Sequence, residues 1–207
     1  MSRDHELTLA VIGLGHVGLP TALGLAELGW HVVGVESDQT KANVITGGCI
    51  PFFEPDVEEL LKRHVGSGKF VVETDVATAV RKATVIFICV GTPQREDGSP
   101  DLSQLEVVAG DIASGLNDYK IIVQKSTAPV NTAEYIRQKI LYHSNANNFA
   151  STKDPVEIDF DMIVNPEFLR EGMAVRDFLN PDRIVLGVDT KQSEELLLDI
   201  YRPLVAS

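Results

Sequence analysis

The chain has 207 residues, 44% apolar and 23% charged, with 30 acidic against 18 basic side chains and a net charge of −12. That length buries a real core, and the composition is ordinary for a globular protein. The negative charge argues against a nucleic-acid backbone or an anionic membrane as main partner, though backbone N–H groups at helix N-termini can still hold phosphate.

The opening "MSRDHELTLAV" has no long apolar run, and no later run reaches transmembrane length, so no membrane partner and a cytoplasmic location are expected. Residues 7–12 are apolar and read as the first strand; 17–28 carry an apolar face at helical spacing and stop at Gly29. A second strand at 30–35 is followed by a helix at 38–45 that ends at Gly47 and Gly48. "CIPFFEP" is a proline-bounded corner, with a helix at 56–64 after it. A strand at 70–73 and a short helix at 76–82 lead to 85–90, whose almost wholly apolar run suits an inner strand of a parallel sheet. The polar "GTPQREDGSPD" loop precedes a helix at 103–116, opened by Ser103 and Glu106 in capping-box spacing. A strand at 120–124, a helix at 131–142 and a polar loop or excursion at 143–157 come next. Strands at 160–164 and 183–188 and a helix at 193–201 complete the chain. The alternation predicts a Rossmann-type doubly wound α/β fold, with a mostly parallel sheet and helices on both faces.

"LAVIGLGHVGLP" places Gly13, Gly15 and Gly18 at G-x-G-x-x-G spacing between a strand and a helix. Gly13 permits the tight turn, Gly15 leaves room for a pyrophosphate, and Gly18 lets the helix approach the sheet. Glu36 ends the second strand, where a carboxylate can accept both ribose hydroxyls and repel a 2′-phosphate. With Ser37 and Asp38 next, and no arginine, NAD is favoured over NADP. The bland alternative is a structural glycine corner with a solvated Glu36. Lys41 can reach a ribose or phosphate, or can be an ordinary surface lysine. His16 and Val17 fall inside the turn and count with the cofactor-binding stretch, though His16 is given no chemical role.

Ligands of open parallel sheets gather beyond the C-terminal strand ends. Three polar stretches start there: "VGTP" at 90–93, "KSTAP" at 125–129 and "NPEFLREG" at 165–172. Thr92 and Thr127 can each donate and accept in a narrow cleft. Glu167 and Glu171 are four apart and would share a face on a helical turn. Such steps also serve as turn punctuation, but three at successive strand ends favour a site. Cys89 reads as a buried small hydrophobe, Cys49 as more exposed, and neither has an identifiable general base nearby.

These stretches together resemble the N-terminal NAD-binding domain of the UDP-glucose/GDP-mannose dehydrogenase family. The match rests on "VIGLGHVGLP", "FFEP", "CVGTP", "DLS", "KSTAPVNT", "NPEFLREGMAVRDFLNPDRIVLG" and "YRPL", and spans nearly the whole chain. The resemblance implies oxidation of a nucleotide-linked hexose to the acid with two NAD and a cysteine-bound intermediate. It implies that Gly13, Gly15, Gly18, Glu36 and Lys41 hold the adenosine and pyrophosphate. Thr92, Thr127 and Glu171 would line the nicotinamide end, with Thr127 positioning a water. Glu167 would handle protons or water, and Glu167, Phe168, Leu169 and Arg170 would lie along the path of a UDP- or GDP-hexose. A homodimer is implied for the complete enzyme, and no metal is assigned.

Two departures stand out. Asn131 replaces the family's usual glycine, a mild change because Asn caps helices and tolerates left-handed geometry. The family's nucleophilic "GGxCFPKD"-like motif, and its lysine and asparagine after this domain, are not found, so residues 1–207 read as the NAD-binding domain alone and truncation is expected. Two other readings stay open: a two-electron hydroxyacid-type dehydrogenase domain, which would need a catalytic His with a carboxylate partner near a strand end, and a non-catalytic NAD-binding partner domain. The identity of the sugar also stays open.

Overall fold

The computed structural model describes residues 7–150 and 159–205. Strands β1 (Thr8–Ile12), β2 (His31–Val35), β3 (Phe70–Glu73), β4 (Val85–Ile88), β5 (Lys120–Gln124) and β6 (Phe160–Val164) form one parallel sheet in the order β3-β2-β1-β4-β5-β6. The helices are α1 (Gly18–Glu27), α2 (Gln39–Thr46), α3 (Val57–Ser67), α4 (Val76–Lys82), α5 (Ser103–Gly115), α6 (Thr132–Ala150), α7 (Ala174–Leu179) and α8 (Lys191–Val205). The expected doubly wound architecture is the one observed. Its strand order reverses between β1 and β4, which opens a crevice at their C-terminal ends.

Strand periodicity divides the core in two. Leu9, Val11, Val85, Phe87, Ile121, Val123 and Ile163 face one apolar cluster, shared with α1, α3, α7 and α8. Ala10, Ile12, Val33, Ile86, Ile88, Ile122 and Met162 face the other, shared with α4, α5 and α6. Alternate side chains along a strand point to opposite faces, so a strand buried on both sides is apolar throughout. That is why the 85–90 run is so uniformly apolar.

Several local expectations are corrected. Residues 183–188 do not form a strand. They touch β6 by one antiparallel bridge, Val164 with Gly187, at 3.0 and 2.8 Å. The Val185 carbonyl is taken by the Asn165 side chain at 2.9 Å rather than by a ladder. Helix α6 runs on to Ala150 where a loop from residue 143 is expected; the rest of that stretch, 151–157, lies outside the described residues. Once Ile136 and Ile140 dock on the second cluster, each further residue adds a backbone bond without a new nucleus. The Ser103–Glu106 capping box is not formed. Asp101 Oδ1 accepts from the Ser103 N–H at 2.9 Å, while Glu106 pairs with Lys139 at 2.8 Å and with the Tyr135 hydroxyl. Asn131 does not take left-handed geometry; its carbonyl accepts from Tyr135 N–H at 3.1 Å. The short helix α7 was not foreseen. Strand β4 ends at Ile88, and α1 starts at Gly18. Among the described residues no helix is long and apolar enough to cross a membrane.

Candidate functional site

At the crevice, β1 runs directly into the glycine turn. Gly13 has φ 91, in the left-handed region, and donates its N–H to Val35 O at 2.9 Å, which ties the turn to the end of β2. A Cβ built on Gly15 would have nothing within 4 Å, whereas one on Gly18 would lie 1.7 Å from the Gly13 carbonyl oxygen. The turn is therefore open at Gly15 and closed at Gly18. Open space against exposed backbone at the head of a helix fits a pyrophosphate. His16 is exposed and stacks on Phe52, with ring centroids 4.1 Å apart. Val17 packs against the first cluster, and its carbonyl accepts from Thr21 N–H.

Glu36 follows β2 and is half-buried. Its Oε1 accepts from Asp38 N–H at 3.0 Å, which orients the carboxylate at the strand end. A carboxylate has acceptor sites for several donors, so this bond leaves capacity for ribose hydroxyls. Asp38 caps α2 through the N–H groups of Thr40 and Lys41, at 2.8 and 3.2 Å. Lys41 itself is exposed on the first turn of α2.

Beyond β4 and β5 the two threonines meet. Thr92 Oγ1 donates to Thr127 O at 2.6 Å, and Ser126 Oγ donates to Val90 O at 2.6 Å. The next residue inward, Lys125, is 5% exposed, and its ammonium donates to Asn165 Oδ1 at 3.2 Å. Tyr201 OH donates to the same oxygen at 2.7 Å, and Asn165 N–H bonds Gln124 O at 2.9 Å. Burial pushes the Lys125 ammonium below its ordinary pKa, partly offset by Cys89 and Glu167 nearby, and burial pushes the Tyr201 phenol up. This buried knot anchors both "KST" and "NPEF" to α8. The sequence places Asn165 and Lys125 in two of the polar stretches at strand ends that favour a site, but gives neither them nor Tyr201 a role of its own; a polar residue beside an apolar strand end is the only local signal.

Past Asn165 the chain lines a cavity of about 280 Å³ with Glu167, Phe168, Leu169 and Arg170, joined by Arg183 and Tyr201. Glu167 is half-buried and its Oε2 accepts from Leu169 N–H at 2.6 Å. The Arg183 guanidinium sits 4.7 Å over the Phe168 ring. Arg170 binds Asp177 through its backbone N–H and side chain, at 2.7–3.0 Å, and holds that carboxyl below the usual range. One expectation fails here. Glu167 lies in non-helical chain and Glu171 in an exposed turn, so they do not share a helical face, and Glu171 does not line the cavity. The Glu167 carboxylate takes the Leu169 N–H, a local side-chain-to-backbone bond that competes with helix.

Among the described residues no histidine joins this group. His64 does have a carboxylate partner, Glu27, at 2.7 Å, which sequence reasoning missed. That pair closes α3 and α1, and the ten residues of α1 place it about 15 Å along the helix from the glycine turn. The hydroxyacid-type alternative gains nothing from it.

The cysteines are as expected. Cys49 is exposed; Cys89 is buried under the glycine turn, and burial pushes its thiol up to about 12. Only the thiolate is reactive. A thiol-disulfide reagent at pH 8 is therefore expected to titrate one cysteine rapidly and the second only after denaturation. Two fast thiols in the native chain would contradict the burial of Cys89.

With this geometry in place, comparison with known proteins is specific. The model of the UDP-glucose/GDP-mannose dehydrogenase family, NAD binding domain, matches residues 7–205. The chain is 39% identical over 201 residues to a UDP-glucose 6-dehydrogenase of Rhizobium meliloti, covering 96% of this chain and 44% of that protein. Among solved structures it is similar to a UDP-glucose dehydrogenase from Pyrobaculum islandicum, at 33% identity and TM-score 0.89, covering 99% of this chain and 46% of the other. It is also similar to a GDP-mannose dehydrogenase from Pseudomonas aeruginosa, at 33% identity and TM-score 0.84, covering 95% and 44%. The chain spans less than half the length of these relatives.

Proposed function

The chain belongs to the UDP-glucose/GDP-mannose dehydrogenase family as an NAD-binding domain, and from that membership we propose that it seats NAD in a nucleotide-sugar 6-dehydrogenase. The reaction is oxidation of the C6 alcohol of a UDP- or GDP-linked hexose to the acid, with UDP-glucose as the first substrate to test. The observation that carries the reading is the turn open at Gly15, with the Glu36 carboxylate at the neighbouring strand end. In the proposed arrangement the stretch from Gly13 through His16 and Val17 to Gly18, with Glu36 and Lys41, holds the adenosine half. Thr92, Thr127 and Glu171 receive the nicotinamide half. When bound, NAD supplies the hydride acceptor.

The chain's own groups serve that chemistry in distinct ways. Thr127 has its carbonyl fixed by Thr92, which supports giving its hydroxyl the task of orienting a water. Glu167 has Oε2 held by Leu169 N–H, so a proton would be carried on Oε1. Phe168, Leu169 and Arg170 line the cavity proposed for the sugar nucleotide. Cys49 is exposed and Cys89 buried, and neither is assigned the nucleophilic role; in this reading that thiol, the rest of the sugar site and the dimer contacts are those of a complete, cytoplasmic enzyme.

Calorimetry with NAD and NADP tests the cofactor assignment. NAD is expected to bind at least tenfold more tightly, because a 2′-phosphate would face the Glu36 carboxylate. Glu36→Ala should weaken NAD by about tenfold or more, the scale of a lost hydrogen bond to a charged group, and should narrow the NAD/NADP ratio. Equal or tighter NADP binding by the unmodified chain overturns the assignment.

A further inference from the structure

The corner between α2 and α3 contains a buried charge that the site described so far does not use. Glu54 is 3% exposed. Its Oε2 accepts from Gly172 N–H at 2.8 Å and its Oε1 from Ala174 N–H at 2.9 Å. The partners lie 118 and 120 residues away. A buried carboxylate is costly unless its acceptors are satisfied, and here two backbone donors satisfy both oxygens. Gly172 has φ 82, a left-handed geometry that points its N–H at the carboxylate.

The same corner reaches the glycine turn. Phe52, two residues before Glu54, stacks on His16. Asp56, two residues after, is the one non-glycine among the described residues with a positive φ, 64. Strained backbone persists where surrounding contacts over-determine it. Residues 52–56 thus bridge the pyrophosphate turn on one side and the turn after β6 on the other. From within its own loop that second turn is clamped by Arg170 and Asp177. Glu54 is the clamp from outside it.

We propose that Glu54 is a positioning residue for the nicotinamide end of the cofactor site, acting through the Arg170–Ala174 turn that carries Glu171; the proposal rests on the NAD assignment above. The adenosine half is assigned to the Gly13–Gly18 turn, Glu36 and Lys41; Glu54 itself hydrogen-bonds none of these, its two bonds going to Gly172 and Ala174. Loss of the carboxylate should therefore loosen one end of the cofactor and leave the other in place.

The test uses the 207-residue chain, Glu54→Gln, and two ligands. Gln is isosteric, but it replaces one acceptor oxygen with an NH₂ group facing a backbone N–H. Calorimetry with ADP-ribose, which lacks nicotinamide, reads the adenosine half. Saturation-transfer NMR on bound NAD compares nicotinamide with adenine protons. ADP-ribose affinity is expected to stay within about twofold, while the nicotinamide signal falls at least about threefold relative to adenine, as when one charge-assisted bond is lost at one end. Parallel loss at both ends would show a general structural role and overturn the proposal, as would no change at either end. If the Gln variant melts below the assay temperature, Glu54→Asp, charged but one methylene short, is judged by the same split. Failure of the unmodified chain to bind ADP-ribose at all is a separate result, which defeats the NAD assignment and this proposal with it.

Discussion

Gly15→Ala is expected to leave the fold intact and to abolish cofactor binding. The built Cβ meets nothing within 4 Å, and Gly15 does not have a positive φ, so the folded chain has room for a methyl group. That room is the space proposed for the pyrophosphate. A methyl there would hold the phosphates away from the turn's backbone N–H groups. Losing two hydrogen bonds to a charged group costs about 3–6 kcal/mol, or at least about 10²-fold in Kd. Melting temperature and NAD calorimetry on this one variant decide the matter. An unchanged Kd would move the pyrophosphate off the turn.

Gly18→Ala should do the reverse kind of damage. Its Cβ would lie 1.7 Å from the Gly13 carbonyl oxygen and 3.1 Å from the Cys89 Cβ. The first contact is backbone, so no rotamer change relieves it. Either α1 backs away from the sheet or the turn opens. Eight of the nine residues of α1 after Gly18 are buried against the first cluster, so backing away exposes a large apolar area. The cost is about 3 kcal/mol or more, at the upper end of overpacking penalties. For a chain of this size that lowers the melting temperature by about 10 °C. Thermal melts without any cofactor test this directly. A melting temperature within about 2 °C of the parent would mean that Gly18 is not the contact between helix and turn. The pair of glycines, three residues apart, thus separates binding from folding.

How far the fold was legible follows from which interactions are local. The apolar run of β4 announced an inner strand because both of its faces are buried. The Gly13–Gly18 spacing and Glu36 were legible because a strand, a turn and a helix start lie within a few residues of one another. Residues 183–188 looked like a strand because their composition is right. What made them otherwise was the Asn165 side chain capturing the Val185 carbonyl, a contact across 20 residues. Likewise the first N–H of α5, that of Ser103, goes to Asp101 Oδ1 and the Ser103 side chain caps nothing, which composition alone did not separate. Glu54 was the hardest case. A lone Glu between Phe53 and Pro55 carries no local sign that two amides more than a hundred residues downstream will claim it.

Trp30 offers a final consequence. It is the chain's single tryptophan, and its indole N–H donates to Ile200 O at 3.2 Å while the ring packs on the first cluster. It precedes β2, whereas Glu36 follows that strand, so the indole starts about 20 Å from the end of the crevice proposed for adenosine. Its bond to α8 falls beside Tyr201, the residue that reaches Asn165 from the same helix. The indole is thus a built-in optical reporter. Its emission follows the docking of α8 onto the sheet, and with it the integrity of the knot that holds Lys125 and Asn165. Oxidised cofactor arriving at the far end does not absorb where indole emits. One fluorescence channel therefore watches the scaffold, while calorimetry watches the ligand.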